Sequence, residues 1–212
     1  MSLTFDAATH TYSIMENGKR VVVPSVTQAL QVAGLIPEYT GDKFYSERGT
    51  EVHKACEYLD TGKLAETDIE TLDERIQPYV WSYWHWRREA QPEWKFIEKE
   101  FYHSDDPRYA GRIDRLGSAA GHWYVIDLKT SSPKWYHAHQ LALYARGACS
   151  DGLSGIPRCA GLYLQADGGA AVLKEYGDHA TEEEALSAVR IWHARAKHTR
   201  GGNPKIKGEC EE

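Results

Sequence analysis

Two acids and a lysine stand at spacings that chemistry can use. Asp114 ends the run Gly111-Arg112-Ile113-Asp114, while Asp127 and Lys129 belong to Val125-Ile126-Asp127-Leu128-Lys129-Thr130. Strand side chains alternate, so Val125, Asp127 and Lys129 share one face and Ile126, Leu128 and Thr130 the other. Between the runs lies Gly117-Ser118-Ala119-Ala120-Gly121, a small-residue turn flanked by apolar and aromatic residues. An antiparallel hairpin centred near residue 119 or 120 sets Asp114 opposite Val125 to Asp127. Two carboxylates and a lysine then meet on one patch, which suits a divalent metal with a water beside it.

Other elements must position that patch. Residues 3 to 23 read as a hairpin turning at Asn17-Gly18, since both residue types tolerate positive φ. Ser25 is a helix cap, and the helix runs to about Gly34 with Val26, Leu30 and Ala33 as its apolar stripe. A second helix is expected over Phe44 to Leu59, where Val52, Cys56 and Leu59 recur at core-facing spacing. His53 lies beside that stripe, one turn from Gly49. Taken alone it reads as a surface histidine, although a glycine inside a helix suggests a close approach to the backbone. Asp73 to Trp94 is rich in tryptophan and tyrosine and reads as a helix buried against a sheet.

Phe96 to His103 follows as a strand, with Glu98 and Glu100 on one face by parity. After Lys129 a polar turn leads to a helix from about Trp135 to Ala148. Its Leu141, Ala142, Ala145 and Ala148 fit a packed face, and Gln140 and Tyr144 lie one turn apart on a shared face. His137 and His139 are two apart on that helix, so they point in different directions and do not read as a metal pair. A strand over Arg158 to Gln165, a turn at Asp167-Gly168-Gly169 and a strand over Ala171 to Tyr176 come next. Thr181 and Glu184 have the spacing of a capping box at the start of a last helix, whose far end is basic. Residues 201–212 read as a mobile tail.

The 212 residues suit one domain, and 42% hydrophobic content is enough for a core. No apolar run reaches membrane-spanning length and no signal-peptide pattern is visible, so a cytoplasmic location without a membrane partner is expected. Cys56, Cys149, Cys159 and Cys210 are scattered without a CxxC, which argues against a zinc ribbon or a local iron–sulfur motif. The net charge of −6 argues against a protein that coats nucleic acid, yet leaves room for a nuclease, whose metal ligands are themselves acidic. No P-loop is present, which argues against an ATP-driven motor.

The order of these segments adds a further reading. Arg48-Gly49-Thr50-Glu51-Val52-His53 on a helix is followed by Ile97-Glu98 on a strand and by Gly111-Arg112-Ile113-Asp114. Then come Ile126-Asp127-Leu128-Lys129-Thr130 and a helix with Gln140-Leu141-Ala142-Leu143-Tyr144. This series, over about Ser25 to Tyr176, resembles the PD-(D/E)XK nuclease superfamily in its RecB-like exonuclease branch. The resemblance implies an α/β (α+β) fold: a central mixed sheet flanked by helices, a restriction-endonuclease-like core. A single domain over residues 1–200 is expected, with residues 1–24 as an N-terminal hairpin.

The same resemblance implies roles. Asp114 and Asp127 match the metal-binding carboxylates, His53 the branch-specific histidine of the metal shell, and the Leu128 carbonyl a further ligand. Lys129 matches the lysine that orients or activates the attacking water. Glu98 matches the acid before the Gly-x-x-Asp motif, with Glu100 the competing choice. Gln140 and Tyr144 line the site and the DNA path, and Arg48 contacts phosphate. The implied cofactor is one or two Mg²⁺ (or Mn²⁺) ions, with no iron–sulfur cluster because the cysteines that would hold one are missing. The implied partner is DNA and, as in phage recombination, a single-strand annealing protein. Related enzymes work both as monomers and as rings. The activity expected is exonucleolytic hydrolysis, with a structure-specific or site-specific endonuclease and a non-cutting DNA-binding module as the alternatives.

Overall fold

The computed structural model describes residues 2–7, 9, 11–37, 42–149, 155–177, 179–199 and 203–204. The expected tail, with Lys205, Lys207 and Cys210, lies outside them apart from residues 203–204. At the N-terminus β1 (Leu3–Asp6), β2 (Thr11–Glu16) and β3 (Lys19–Val23) form an antiparallel sheet in that order. The reading of a single hairpin is corrected. The hairpin is β2–β3, closed by Asn17 and Gly18 at φ 51° and 74°. Leu3–Asp6 adds a third strand that pairs Phe5 with Tyr12.

Helix α1 (Val26–Val32) starts where expected. The Ser25 hydroxyl accepts the Gln28 N–H and the Gln28 side chain accepts the Ser25 N–H, a reciprocal cap that satisfies two orphan donors. Helix α2 (Lys43–Asp60) buries Val52, Ala55, Cys56 and Leu59, and a short 3-10 helix, Glu66–Thr71, follows. The aromatic segment forms helix α3 only over Gln77–Ala90. Gln91 takes a left-handed φ of 41° and stops it, and Trp94 passes to the next strand.

The main sheet has the order β4 (Glu93–His103), β5 (Tyr109–Ala119), β6 (His122–Lys129), β7 (Arg158–Tyr163), β8 (Val172–Tyr176). Only β6 and β7 run parallel, joined through α4 (His137–Cys149); the other neighbours are antiparallel, so the sheet is mixed. One face packs on α1, α4 and α5 (His179–Ala196) through Leu30, Leu116, Val125, Leu141 and Trp192. The other packs on α2 and α3 through Val52, Cys56, Tyr83, Ile126 and Leu128. Val125 and Ile126 therefore serve opposite cores, as strand alternation requires. Burying each such side chain stabilises the fold by about 1.5–3 kcal/mol.

Three boundaries differ from the sequence reading. Strand β5 continues through Ala119, which pairs with His122, and the turn is Ala120-Gly121, both at positive φ. Gly117 to Ala119 are strand because they pair with Tyr124, Trp123 and His122, and at Gly117 the β4 backbone leaves no room for a Cβ. Helix α4 begins at His137, two residues after Trp135. Helix α5 begins at His179, so Thr181 sits inside its first turn and is not its cap. Among the described residues no helix is long and apolar enough to cross a membrane.

Candidate active site

The ladder between β5 and β6 ends at Arg115 and Ile126. Just beyond it, Asp114 turns its carboxylate toward β6 and accepts the Leu128 N–H at 2.8 Å. A side-chain oxygen thus takes the place of a strand carbonyl, and the backbone donor stays satisfied. The same bond carries Asp114 to the strand that bears Asp127. Asp127 is buried and in direct contact with the Lys129 ammonium. Lys129 donates to Gln140 Oε1 at 3.0 Å, and the Gln140 amide donates to the Tyr144 hydroxyl at 2.9 Å. The lysine is therefore held between an acid on its own strand and a polar pair on α4.

Helix α2 contributes His53 from the other side. Its Nε2 lies 2.9 Å from the Leu128 carbonyl oxygen and its Nδ1 3.4 Å from Asp114 Oδ2. A carbonyl only accepts, so Nε2 carries a proton and Nδ1 faces the carboxylate. Strand β4 contributes Glu98, whose backbone is left-handed at φ 51°. Its two oxygens bond Arg115 and Arg112, each at 3.1 Å. Ligand atoms of His53, Glu98 and Asp114 all lie within 4.8 Å of one another. Glu100, equal to Glu98 by parity, is exposed and is not part of that cluster.

Buried like charges shape the electrostatics. Burial works to raise the Asp114 pKa, but the His53 ring, the Leu128 N–H and Lys129 outweigh it and hold the acid well below the usual carboxylate range. Asp127 goes the other way. Burial, with the charge of Asp114, pushes it up to about 6 against the pull of Lys129. Burial and Asp114 also raise Glu98, against Arg115 and Arg112. Burial lowers the His53 pKa, but Asp114 outweighs it and the net shift is upward. Such a set is relieved by a cation. One imidazole with carboxylate oxygens, and no thiolate, fits a hard divalent ion such as Mg²⁺ or Mn²⁺.

His53, Asp114, Asp127, Leu128, Lys129, Gln140 and Tyr144 line a cavity of about 330 Å³, whose further wall is Phe5, Tyr12 and Ser25 from the N-terminal segment, while Glu98 lines a separate hollow along β4. A larger hollow of about 750 Å³, between α4, β7, β8 and α5, contains none of them.

The Leu128 carbonyl lies at the cluster and is taken up by the His53 ring. Arg48 stacks over Tyr79 and Tyr45, at 4.7 and 5.2 Å from the ring centres, rather than among the carboxylates. Gly49 faces Thr130, where an added Cβ would find ordinary contact at 3.8 Å, so no close approach demands a glycine. His137 and His139 go to separate partners, Tyr163 and Glu184. Two site neighbours were missed by pattern reading, Arg112 and Arg115. The available signal was a charge on either side of Asp114 within a strand.

Comparison with known proteins bears on the same region. A family model describing the PD-(D/E)XK nuclease superfamily matches residues 50–210. Among solved structures, one described as "Putative exonuclease" from Eubacterium rectale superposes with a TM-score of 0.50 at 13% identity, covering 89% of this chain and 86% of that one. At that identity the likeness speaks for the fold. No curated protein matches.

Proposed function

Because the chain belongs to the PD-(D/E)XK nuclease superfamily, we propose that it is a divalent-metal-dependent exonuclease that hydrolyses phosphodiester bonds in DNA. The observation that carries this reading is the convergence of Asp114, Asp127 and Lys129, from two strands, with His53 around one cavity, and of Glu98 within 4.8 Å of the His53 and Asp114 ligand atoms. His53, Glu98, Asp114, Asp127 and the Leu128 carbonyl are the groups that would hold one or two Mg²⁺ or Mn²⁺ ions. An ion held there would polarise the scissile phosphate and lower the pKa of a bound water.

The chain's own groups do the rest. Lys129 is held by Gln140 and Asp127 with its ammonium in the cavity, where it orients the attacking water and offsets phosphate charge. The water loses a proton to solvent as its oxygen bonds to phosphorus, the bond to the 3′ oxygen breaks, and that oxygen leaves with a proton from solvent. Gln140 and Tyr144 line the strand's path, with Arg48 further out on α2. Residues 1–200 act as one nuclease domain in this reading, and its setting is the trimming of DNA ends in recombination or repair.

The preference for an exonuclease rests on His53 in the cluster, the feature that resembles the RecB-like branch. End-labelled linear DNA and closed circular DNA, each with Mg²⁺ or with EDTA, test it. Release of end label from linear DNA, with circles left intact and no reaction in EDTA, is expected. Cutting of circles would make the enzyme an endonuclease, and binding without cleavage a DNA-binding module.

A further inference from the structure

Behind Glu98 lies a buried chain of charges that takes no direct part in the site. The side chains of Asp60, the last residue of α2, and of Arg115 are both 0% exposed. Arg115 Nε donates to Asp60 Oδ2 at 2.6 Å, while its Nη1 donates to Glu98 Oε1 at 3.1 Å and to the Asp114 carbonyl at 2.7 Å. Asp60 also accepts from the Tyr83 hydroxyl at 2.6 Å and from Arg87 Nε at 3.0 Å. One guanidinium therefore touches both the side chain of Glu98 and the main chain of Asp114, and it is itself clamped to a helix end by Asp60.

We propose that Asp60 and Arg115 are positioning residues: they hold the Glu98 carboxylate toward His53 and Asp114, so that a divalent cation meets a preset group of ligands. This rests on reading that cluster as a metal site. Three observations carry it. Glu98 has a left-handed backbone, which strains a non-glycine residue and persists only when its surroundings enforce it. The fork of Arg115 is the buried group that reaches it, and Arg112, with a 55% exposed side chain, grips the other oxygen from outside. Stability alone gives little reason for the arrangement. A buried ion pair is often replaced by apolar groups without loss, and Arg115 Nη2 has no hydrogen-bond partner among the described residues. Ligand-orienting groups of this kind typically change metal affinity about 10–100-fold.

The test is Mn²⁺ binding to the full chain without DNA, by titration calorimetry, alongside melting temperature with and without Mn²⁺. Asp60→Asn keeps the size of the side chain and removes its charge. Arg115→Lys keeps the charge and loses the fork, and it carries the test if Asp60→Asn does not fold. Either change is expected to weaken Mn²⁺ about 10-fold, with a smaller melting shift on adding metal. Glu98→Gln should weaken it at least as much, and the double variant with Asp60→Asn no more than Glu98→Gln alone, since both act through one group. Variants that melt earlier yet bind Mn²⁺ as the parent does would overturn the positioning role and leave the metal site standing. A parent chain that binds no Mn²⁺ would overturn both.

Discussion

The His53 ring bridges two elements 75 residues apart in sequence: its Nε2 lies 2.9 Å from the carbonyl oxygen of Leu128. That contact fixes which nitrogen carries the proton and leaves Nδ1 directed at Asp114. Replacing His53 with Ala removes a proposed ligand and not a core side chain. Metal affinity should fall about 10–100-fold and cleavage with it, while circular dichroism stays that of the parent. An Ala variant that cleaves normally at limiting Mg²⁺ would remove His53 from the site.

Lys129→Ala should leave the fold intact and abolish cleavage, because Lys129 is a partly exposed residue at the end of β6 whose contacts are polar. Gln140→Ala should act through it. With the Lys129 ammonium no longer held, kcat should drop about 10-fold with little change in substrate affinity. A Gln140→Ala enzyme altered only in KM would mean that Gln140 binds DNA and does not position the lysine.

The pH dependence of metal binding follows from Asp127. Its carboxyl, pushed up to about 6 by burial and by Asp114, is protonated below that pH and competes with the ion. Asp114, held well below the usual range, stays ionised throughout. Mn²⁺ affinity should therefore rise as pH passes 6 and go on rising until His53, whose pKa Asp114 holds above its usual value, has lost its second proton. Calorimetry from pH 5 to pH 8 checks this, and a flat profile would exclude Asp127 as the competing group.

Acid stability has a separate marker in His137. Burial, with Lys129 and Lys134 nearby, lowers its pKa to about 3, and its Nδ1 accepts from the Lys134 N–H while meeting the Tyr163 hydroxyl. In the unfolded chain it titrates near 6.5. The unfolded state thus binds more protons between those values. The contribution is fully present above about pH 6.5 and is lost as pH falls toward 3, at no more than about 1.4 kcal/mol per unit. His137→Gln should flatten the melting temperature between pH 4 and pH 6 relative to the parent.

Gly117→Ala should destabilise the sheet. An added Cβ would lie 2.2 Å from the Glu93 carbonyl oxygen and 2.8 Å from Trp94 Cα, both backbone, beside the irregularity between Trp94 and Phe96. Strands cannot yield there without breaking their pairing, so a loss of about 2–3 kcal/mol is expected. For a chain of this size the melting temperature should drop by about 5–10 °C. An unchanged melting curve would show that β4 relaxes freely at this edge.

Much of the site was legible because local periodicity sets side-chain direction. Alternation along Val125 to Lys129 put Asp127 and Lys129 on one face, and helical spacing put Gln140 beside Tyr144. The cap at Ser25 and the turn at Asn17-Gly18 were legible for the same reason, since each depends on a few adjacent residues. Thr181 and the turn at Gly117 misled because neighbours elsewhere in the fold decided whether helix or strand continued.

The choice between Glu98 and Glu100 lay beyond the sequence. Parity treats both alike because it assumes a regular strand. The left-handed backbone at Glu98 and the buried Arg115, anchored by Asp60 from another element, bring one of them to His53 and Asp114. The amino-acid order by itself determined which residues carry chemistry and which way they point within each element. Only tertiary packing decided the distances between elements, because these depend on where a ladder ends and where a strand departs from regularity, and no periodic pattern encodes either.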